Sequence, residues 1–264
     1  MMETESENMP RVSIITATYE SENTIRRALL SVINQSYANI EHIIVDGLSS
    51  DNTINIVEEI SPFSIVISDL DKGIYDAFNK GIKAATGDFI CFLNSDDYYR
   101  DSEIINKAIN QVRKSNADIL LMGVAFVNND SAKIEREYPS LKISKKNLQS
   151  GFMPPHPGML IKREIFEDLG NFCTDLRICG DYEFVCRIAA SSNIYKICVS
   201  KTIAVNMSHG GVSTKSFKNR LLLHHEIVDS LRRNNLKASN LCLLIRYVRK
   251  IKQFKWLFAI KNIF

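Results

Sequence analysis

The sequence predicts an α/β fold built on a mostly parallel mixed sheet flanked by helices. Three observations carry that expectation. Short β-rich runs alternate with amphipathic runs of helical spacing from Val12 to Lys114. Several of the β-rich runs end in acidic or polar loops, as strands do at the ligand-facing edge of an open α/β sheet. With 264 residues and 45% hydrophobic composition, the chain can bury one substantial core, as one large domain or a domain with an appendage.

Val12 to Ile15, after Pro10, is β-rich and ends in the polar Thr16-Ala17-Thr18-Tyr19. Glu22 to Ile33 places Ile25, Ala28, Leu29, Val32 and Ile33 on one helical face, with Ser21 or Asn23 as the candidate cap. Ile40 to Val45 reads as a second strand that runs into the loop Asp46 to Thr53 and the helical pattern Ile54 to Ile60. Ile65 to Ile67 is a short third strand. After the loop Asp69 to Gly73 comes a helix through Gly81 to Ala85, then Thr86-Gly87-Asp88 and the strand Phe89 to Leu93, which closes on Asn94-Ser95-Asp96-Asp97. This alternation argues for a parallel sheet covered on both faces.

Further on, Ser102 to Lys114 is helical, and Ile119 to Val127 is a strand paired with Lys133 to Tyr138 across the turn Asn128 to Ser131. Lys142 to Pro157 is a polar and Pro-rich connection of a length that is usually functional in a compact domain. Ile161 to Leu169 and Asp181 to Ala190 read as helices, Ile194 to Ile203 as a strand, and Phe217 to Phe264 as a helical extension with few breakers.

The opening MMETESENMP lacks the basic start and apolar run of a secretory signal, so residues 1–10 read as a frayed, disordered cytosolic tail. No apolar stretch reaches the roughly 18 residues of a spanning helix. The six cysteines show no C-x-x-C pair and read as reduced, mostly core residues. The net charge of +3 hides an asymmetry: from Lys215 onward stand 12 Lys/Arg against two acidic residues, which leaves the body before it acidic. The expected division is therefore 1–10, 11–214 and a basic amphipathic tail, 215–264.

Asp96 and Asp97 are adjacent carboxylates at a strand end. Their repulsion must be relieved by solvent, a cationic side chain or a hard metal ion. A solvated turn and a divalent ion bridging protein to diphosphate both answer that need. Asp46, at the end of the second strand, is suited to accept from a base N–H or a ribose hydroxyl, or to form an Asx turn with Gly47. Asp181 and Glu183 open a helical pattern, where a carboxylate is favoured by the dipole alone but could also serve as a general base. His209, among small residues after a strand, is a candidate metal or phosphate contact and equally a structural histidine. His156, between two prolines, either lines an acceptor pocket or packs.

Four ordered motifs then define a resemblance. Val12-Ser13-Ile14-Ile15-Thr16-Ala17-Thr18-Tyr19, Val45-Asp46-Gly47-Leu48-Ser49-Ser50-Asp51-Asn52-Thr53, Asp71 to Ile82, and Ala85-Thr86-Gly87-Asp88 leading to Phe92-Leu93-Asn94-Ser95-Asp96-Asp97 resemble family 2 glycosyltransferases over roughly residues 10–210. The resemblance implies the Rossmann-like GT-A fold and an inverting transfer of a sugar from a nucleotide-diphosphate donor to an acceptor hydroxyl. It implies donor contacts at Thr18, Tyr19, Asp46, Asp71, Asn79, Asn94 and Asp97, with Tyr19 and Asp46 at the base. It also implies Mg²⁺ or Mn²⁺ on Asp96, with His209 as a further candidate ligand, and Asp181 as catalytic base with Glu183 as the alternative. Two departures are visible: Asn94 stands where many members carry the first Asp of D-x-D, and Gly180 replaces the acid before the base.

The tail suggests two partners. Apolar Leu241, Leu244, Ile245, Val248, Ile251, Trp256, Leu257 and Ile260 interleaved with Arg246, Arg249, Lys250, Lys252, Lys255 and Lys261 have the composition of a helix that lies on an anionic membrane or packs on the catalytic domain. The first alternative places the chain on the inner face of the cell membrane, near lipid-linked or other glycan acceptors of bacterial surface polysaccharide synthesis. Nothing motif-like supports nucleic acid as a partner. Two other functions compete. A sugar nucleotidyltransferase would want a Gly-rich basic loop after the first strand, which Thr16 to Glu22 lacks, and an inactive nucleotide-sugar-binding module would not need Asp96, Asp97 and Asp181 together.

Overall fold

The computed structural model describes residues 9–128, 133–191, 194–208 and 216–237. Its strands are β1 (Val12–Thr18), β2 (Ile40–Asp46), β3 (Ile65–Ser68), β4 (Phe89–Phe92), β5 (Tyr98–Tyr99), β6 (Ile119–Val127), β7 (Ile134–Tyr138), β8 (Met159–Lys162) and β9 (Ile197–Ser208). The helices are α1 (Ile25–Ile33), α2 (Thr53–Ile60), α3 (Ile74–Ala84), α4 (Ile104–Ser115), α5 (Lys145–Gln149), α6 (Glu164–Leu169), α7 (Gly180–Ala190) and α8 (Phe217–Arg233), with a 3-10 turn at His156–Gly158.

The nine strands form one sheet in the order β3-β2-β1-β4-β8-β6-β9-β5, with β7 paired to β6. β3, β2, β1 and β4 are mutually parallel. β8 then runs antiparallel to both β4 and β6. The chain order reverses between β1 and β4, so the crevice beyond their carboxyl ends is the topological switch point where α/β sheets bind ligands. Thr18, Asp46 and Asn94 to Asp97 all lie at that edge.

Period-two alternation sorts the core into layers. Ile15, Ile43, Val45, Ile90 and Phe92 face the side covered by Phe78 of α3, Phe166 of α6, Phe184 of α7 and Ile227 of α8. Val12, Ile14, Cys91 and Leu93 face the other side, against Ala28 and Val32 of α1 and Ile104, Ile105, Ala108 and Ile109 of α4. Cys91, Cys179 and Cys186 are buried free thiols.

Three sequence expectations change. The helix expected from Ile161 begins at Glu164, and Ile161–Lys162 instead end the strand Met159–Lys162 that fills the gap between β4 and β6, where Ile161 pairs with both Ile90 and Ile119. A fully buried apolar run of this length has the same pattern in a strand as in a helix. Neither Ser21 nor Asn23 caps α1; the cap position is Thr24, without a side-chain bond, and Ser21 instead accepts from Thr24 N and Ile25 N at 2.9 Å through its carbonyl. The last described helix stops at Arg233 and is closed by Asn234 and Asn235, the latter at φ 55°. Beyond the expected 214/215 boundary, Ile227, Leu231 and Leu236 pack in the main core. The apolar and basic positions from Leu241 to Lys261, and residues 1–8, lie outside the described residues. Among the described residues, no helix is long and apolar enough to cross a membrane.

Candidate functional site

The end of β4 is fixed by an aromatic cluster. Phe92 stacks on His156 at 4.7 Å and 25°, contacts Phe78 at 4.7 Å and meets Phe172 edge-on at 5.3 Å. Rings packed this way are rigid, so the tetrapeptide that follows Leu93 starts from a defined position. His156 therefore packs, and its Nε2 is enclosed without a hydrogen-bond partner. Burial lowers its pKa, against a smaller raising effect of the Asp181 charge.

Within the tetrapeptide the two acids have different surroundings. Asp97 is 2% exposed, and its oxygens accept from Asn94 Nδ2 at 2.9 Å and Ser208 N at 3.2 Å. Burial, then the Asp96 charge, pushes its carboxyl up to about 7, while Asn94, Ser208 and Arg27 act in the other direction. Asp97 thus braces the loop from inside rather than facing a donor, and Asn94 spends its amide nitrogen on that brace. Asp96 is half-buried, and its main-chain oxygen accepts from Ser208 Oγ at 2.6 Å and Arg27 Nη2 at 3.2 Å. Arg27 lies over the Tyr98 ring at 4.3 Å and also donates to Ser208 Oγ at 2.9 Å. It is a cation whose need was legible beside two acids, although no motif in α1 pointed to it.

Around the crevice, Tyr19 is 64% exposed, whereas Thr18 is buried with its Oγ1 unpartnered. Asp46 is fully buried and accepts from Ser49 N at 3.0 Å, Ser49 Oγ at 2.5 Å and Ser68 Oγ at 2.9 Å, so its carboxylate shapes the β2 loop. Asp71 accepts from Gly73 N at 2.9 Å, and its Oδ2 lies 2.7 Å from where a Cβ on Gly47 would stand. A side chain at position 47 would displace the Asp71 carboxylate. Asn79 is not brought to the crevice: both ends of its amide bond the main chain of Phe172, at 2.9 Å each.

Asp181 opens α7 and is half-buried. Its Oδ1 accepts from Tyr75 Oη at 3.0 Å and from Tyr182 N at 2.8 Å. Upstream of it, Arg177 N, Ile178 N and Cys179 N all donate to the carboxylate of buried Glu226 on α8, at 2.8–2.9 Å. Glu183 points the other way. It is 3% exposed and is held by Arg187 Nε at 2.9 Å, Asn234 Nδ2 at 3.1 Å and Cys173 Sγ at 3.3 Å. A carboxylate with that many partners ties α7 to the end of α8. Sequence reasoning missed Tyr75 and Glu226; the only signal for Tyr75 was its place in the motif Asp71 to Ile82.

For a divalent ion, the donor set is hard oxygen: Asp96, with the Asn94 and Asp97 side chains beside it. A cation bound by one or two carboxylates and completed by phosphate oxygens needs no more, and a carboxyl raised to about 7 is one whose ionised form such a charge would favour. The residues fit in that sense. Among the described residues no group of three or more His, Cys, Asp or Glu side chains gathers as an all-protein metal site, and His209 lies outside them.

A sheet that reverses order beside β1, with acids at its carboxyl edge, belongs to the open α/β class whose ligand crevice lies at the switch point. Residues 13–170 match the model of the family described as Glycosyl transferase family 2. The chain belongs to that family, and with it to the glycosyltransferase enzymes. A PGL/p-HBAD biosynthesis glycosyltransferase of Mycobacterium bovis is 24% identical over 221 residues, 80% of this chain and 84% of that one. The S. aureus TarS 1–349 structure in complex with UDP-GlcNAc superimposes with a TM-score of 0.66 at 20% identity, covering 84% of this chain and 66% of TarS 1–349. A mannosyltransferase, PcManGT from Pyrobaculum calidifontis, in complex with GDP-Man and Mn²⁺, gives 0.63 at 18% identity, covering 88% and 66%. These likenesses identify the fold as GT-A.

Proposed function

We propose that the chain transfers a sugar from a nucleotide-diphosphate sugar to an acceptor hydroxyl with inversion at the anomeric carbon. The reading is supported by two acids: Asp96, beside the β4 end at the switch point, and Asp181, bonded by Tyr75 at the start of α3, the helix that follows the carboxyl end of β3. Donor complexes of the two structural relatives, with UDP-GlcNAc and with GDP-Man and Mn²⁺, support a nucleotide sugar as ligand.

Asp181 takes the proton of the acceptor hydroxyl as that oxygen attacks the anomeric carbon. The bond to the diphosphate breaks, and its electron pair leaves with the nucleotide. Asp96 is the residue that would hold Mg²⁺ or Mn²⁺, which supplies charge neutralisation to the departing diphosphate. Asp97 and Arg27 keep the Asp96 main chain in place. Exposed Tyr19 faces donor groups, with buried Thr18 beside it, and Asp46 and Asp71 shape the loop that surrounds them.

The acceptor class proposed is a glycan or lipid-linked sugar of bacterial surface polysaccharide synthesis, with residues 238–264 lying on an anionic membrane. A truncation after Lys237 keeps Glu226 and tests this directly: loss of flotation with anionic liposomes is expected, and equal behaviour of both forms contradicts it. The donor is tested by thermal shift against UDP-, GDP-, dTDP- and CMP-sugars with Mn²⁺, where one nucleotide class should raise the melting temperature. Asp181→Asn in single-turnover transfer tests the base. A rate lowered by about 10²-fold or more is expected from the worth of a general base, and a near wild-type rate overturns the assignment.

A further inference from the structure

Gly180, directly before Asp181, is buried against an aromatic ring. A Cβ built on it would stand 2.8 Å from Cγ and Cδ2 of Tyr75 and 2.9 Å from Cδ1, and ring carbons cannot swing aside like the end of a flexible chain. Position 180 therefore accepts only hydrogen while Tyr75 keeps its place. The ring is held from the other side by Phe172, at 5.7 Å, and Phe78, at 6.4 Å.

The phenol seated there has one proton and two acceptors, Ile178 O at 2.7 Å and Asp181 Oδ1 at 3.0 Å. Burial, and then the Asp181 charge, raises Tyr75 well above its ordinary value, so it stays a donor. Asp181 Oδ1 already accepts from Tyr182 N, and among the described residues no hydrogen bond is made to Oδ2. The Tyr75 hydroxyl thus lies against Oδ1, its one proton shared between that oxygen and the nearer Ile178 O, while Oδ2 makes no hydrogen bond among the described residues. Glu226 holds the three preceding amide groups, so the carboxylate is fixed from the main-chain side as well.

Resting on the reading of Asp181 as base, we propose that Tyr75 is a positioning residue that locks Oδ1 and thereby makes Oδ2 the oxygen that receives the acceptor's proton, with Gly180 present to admit its ring. Tyr75 itself exchanges no proton with substrate. Its contribution is orientational, and misplacing a catalytic group by even an ångström is costly to rate.

The test uses the full chain with Mn²⁺ and the four classes of nucleotide sugar, read as nucleotide release with water in the acceptor's place. Tyr75→Phe keeps the ring and removes the hydroxyl. It should lower kcat about tenfold to a hundredfold with the donor KM within about twofold, the size expected for a lost hydrogen bond to a charged group. Gly180→Ala should lower kcat in the same way by displacing the ring, and should add little on top of Tyr75→Phe, because both act through one hydroxyl. Wild-type kcat in Tyr75→Phe, a rise in donor KM at unchanged kcat, or full additivity of the two substitutions would each overturn the proposal. Asp181→Asn is the control that separates the two levels: if it retains turnover the base assignment fails, whereas if it alone is inactive the base stands and the role of Tyr75 falls.

Discussion

The two edges of the parallel half-sheet use the same residue types to opposite ends. At the amino edge, Glu41 is 5% exposed and accepts from Ser13 Oγ, from Thr86 N at 2.6 Å, Thr86 Oγ1 at 2.9 Å and Gly87 N at 2.8 Å, with Arg11 Nη2 at 3.2 Å. Burial pushes the Glu41 carboxyl up, but these hydrogen bonds outweigh it and the net shift is downward. At the carboxyl edge, Asp97 is as buried yet shifted upward to about 7, and Thr18 Oγ1 has no partner. The contrast lies between the two acids: Glu41, surrounded by donors, stabilises the fold as an anion, whereas Asp97, buried beside the Asp96 charge, is one whose ionised form a bound cation would favour.

The largest effect expected from that contrast is catalytic. Asp96→Asn should lower transfer by about 10²–10³-fold, the worth of one electrostatic group at a developing charge, with a melting temperature near that of wild type. Equal loss of stability and activity would show that Asp96 belongs to the scaffold instead.

The next effect lies at the amino edge. Glu41→Gln places an amide nitrogen against at least one of the donors from Thr86, Gly87 and Ser13, and should cost about 2–4 kcal/mol in urea unfolding, with kcat per folded molecule unchanged. Because the folded pKa of Glu41 is depressed, its stabilisation is complete above the ordinary value near 4.5 and is lost as pH falls through the folded value. The substitution should therefore cost more at pH 7 than in acid.

Asp97 carries the opposite sign. Its folded pKa of about 7 exceeds the ordinary 3.8, so its contribution favours folding in acid and is lost as pH rises through about 7. Asp97→Asn should accordingly flatten the fall in stability between about pH 4 and 8, measured as melting temperature without added metal. A wild-type slope in the variant contradicts the assignment. The smallest effect is at Thr18→Val, where removal of an unpartnered buried hydroxyl should change stability by less than about 1 kcal/mol in urea unfolding.

Much of this was legible in the sequence because the signal was local. The strand ends at Asp46 and Asn94 followed from apolar runs closing on polar loops, whereas β1 runs three residues past the expected end at Ile15, to Thr18, and the four motifs placed these segments in one family. What escaped depends on contacts between distant segments. β8 hid because a buried strand of four residues lacks periodicity. Glu226 sits in a stretch that reads as a basic surface helix, yet it braces residues 177–179, some 48 positions away in the chain. Glu183 and Asp181 look interchangeable two residues apart, and only the helix turn decides that one faces Arg187 and the other Tyr75. The motif Thr86-Gly87-Asp88 similarly marks a structural clamp: a Cβ on Gly87 would meet Ser13 Oγ at 2.6 Å.

The most direct test of the division between the edges is ligand-induced thermal stabilisation of Glu41→Gln and Asp96→Asn side by side, with Mn²⁺ and the nucleotide sugar that stabilises the wild type. The account predicts a lower melting temperature with an intact ligand shift for Glu41→Gln, and a normal melting temperature with the shift lost for Asp96→Asn. An intact shift in Asp96→Asn, or a lost one in Glu41→Gln, would contradict it.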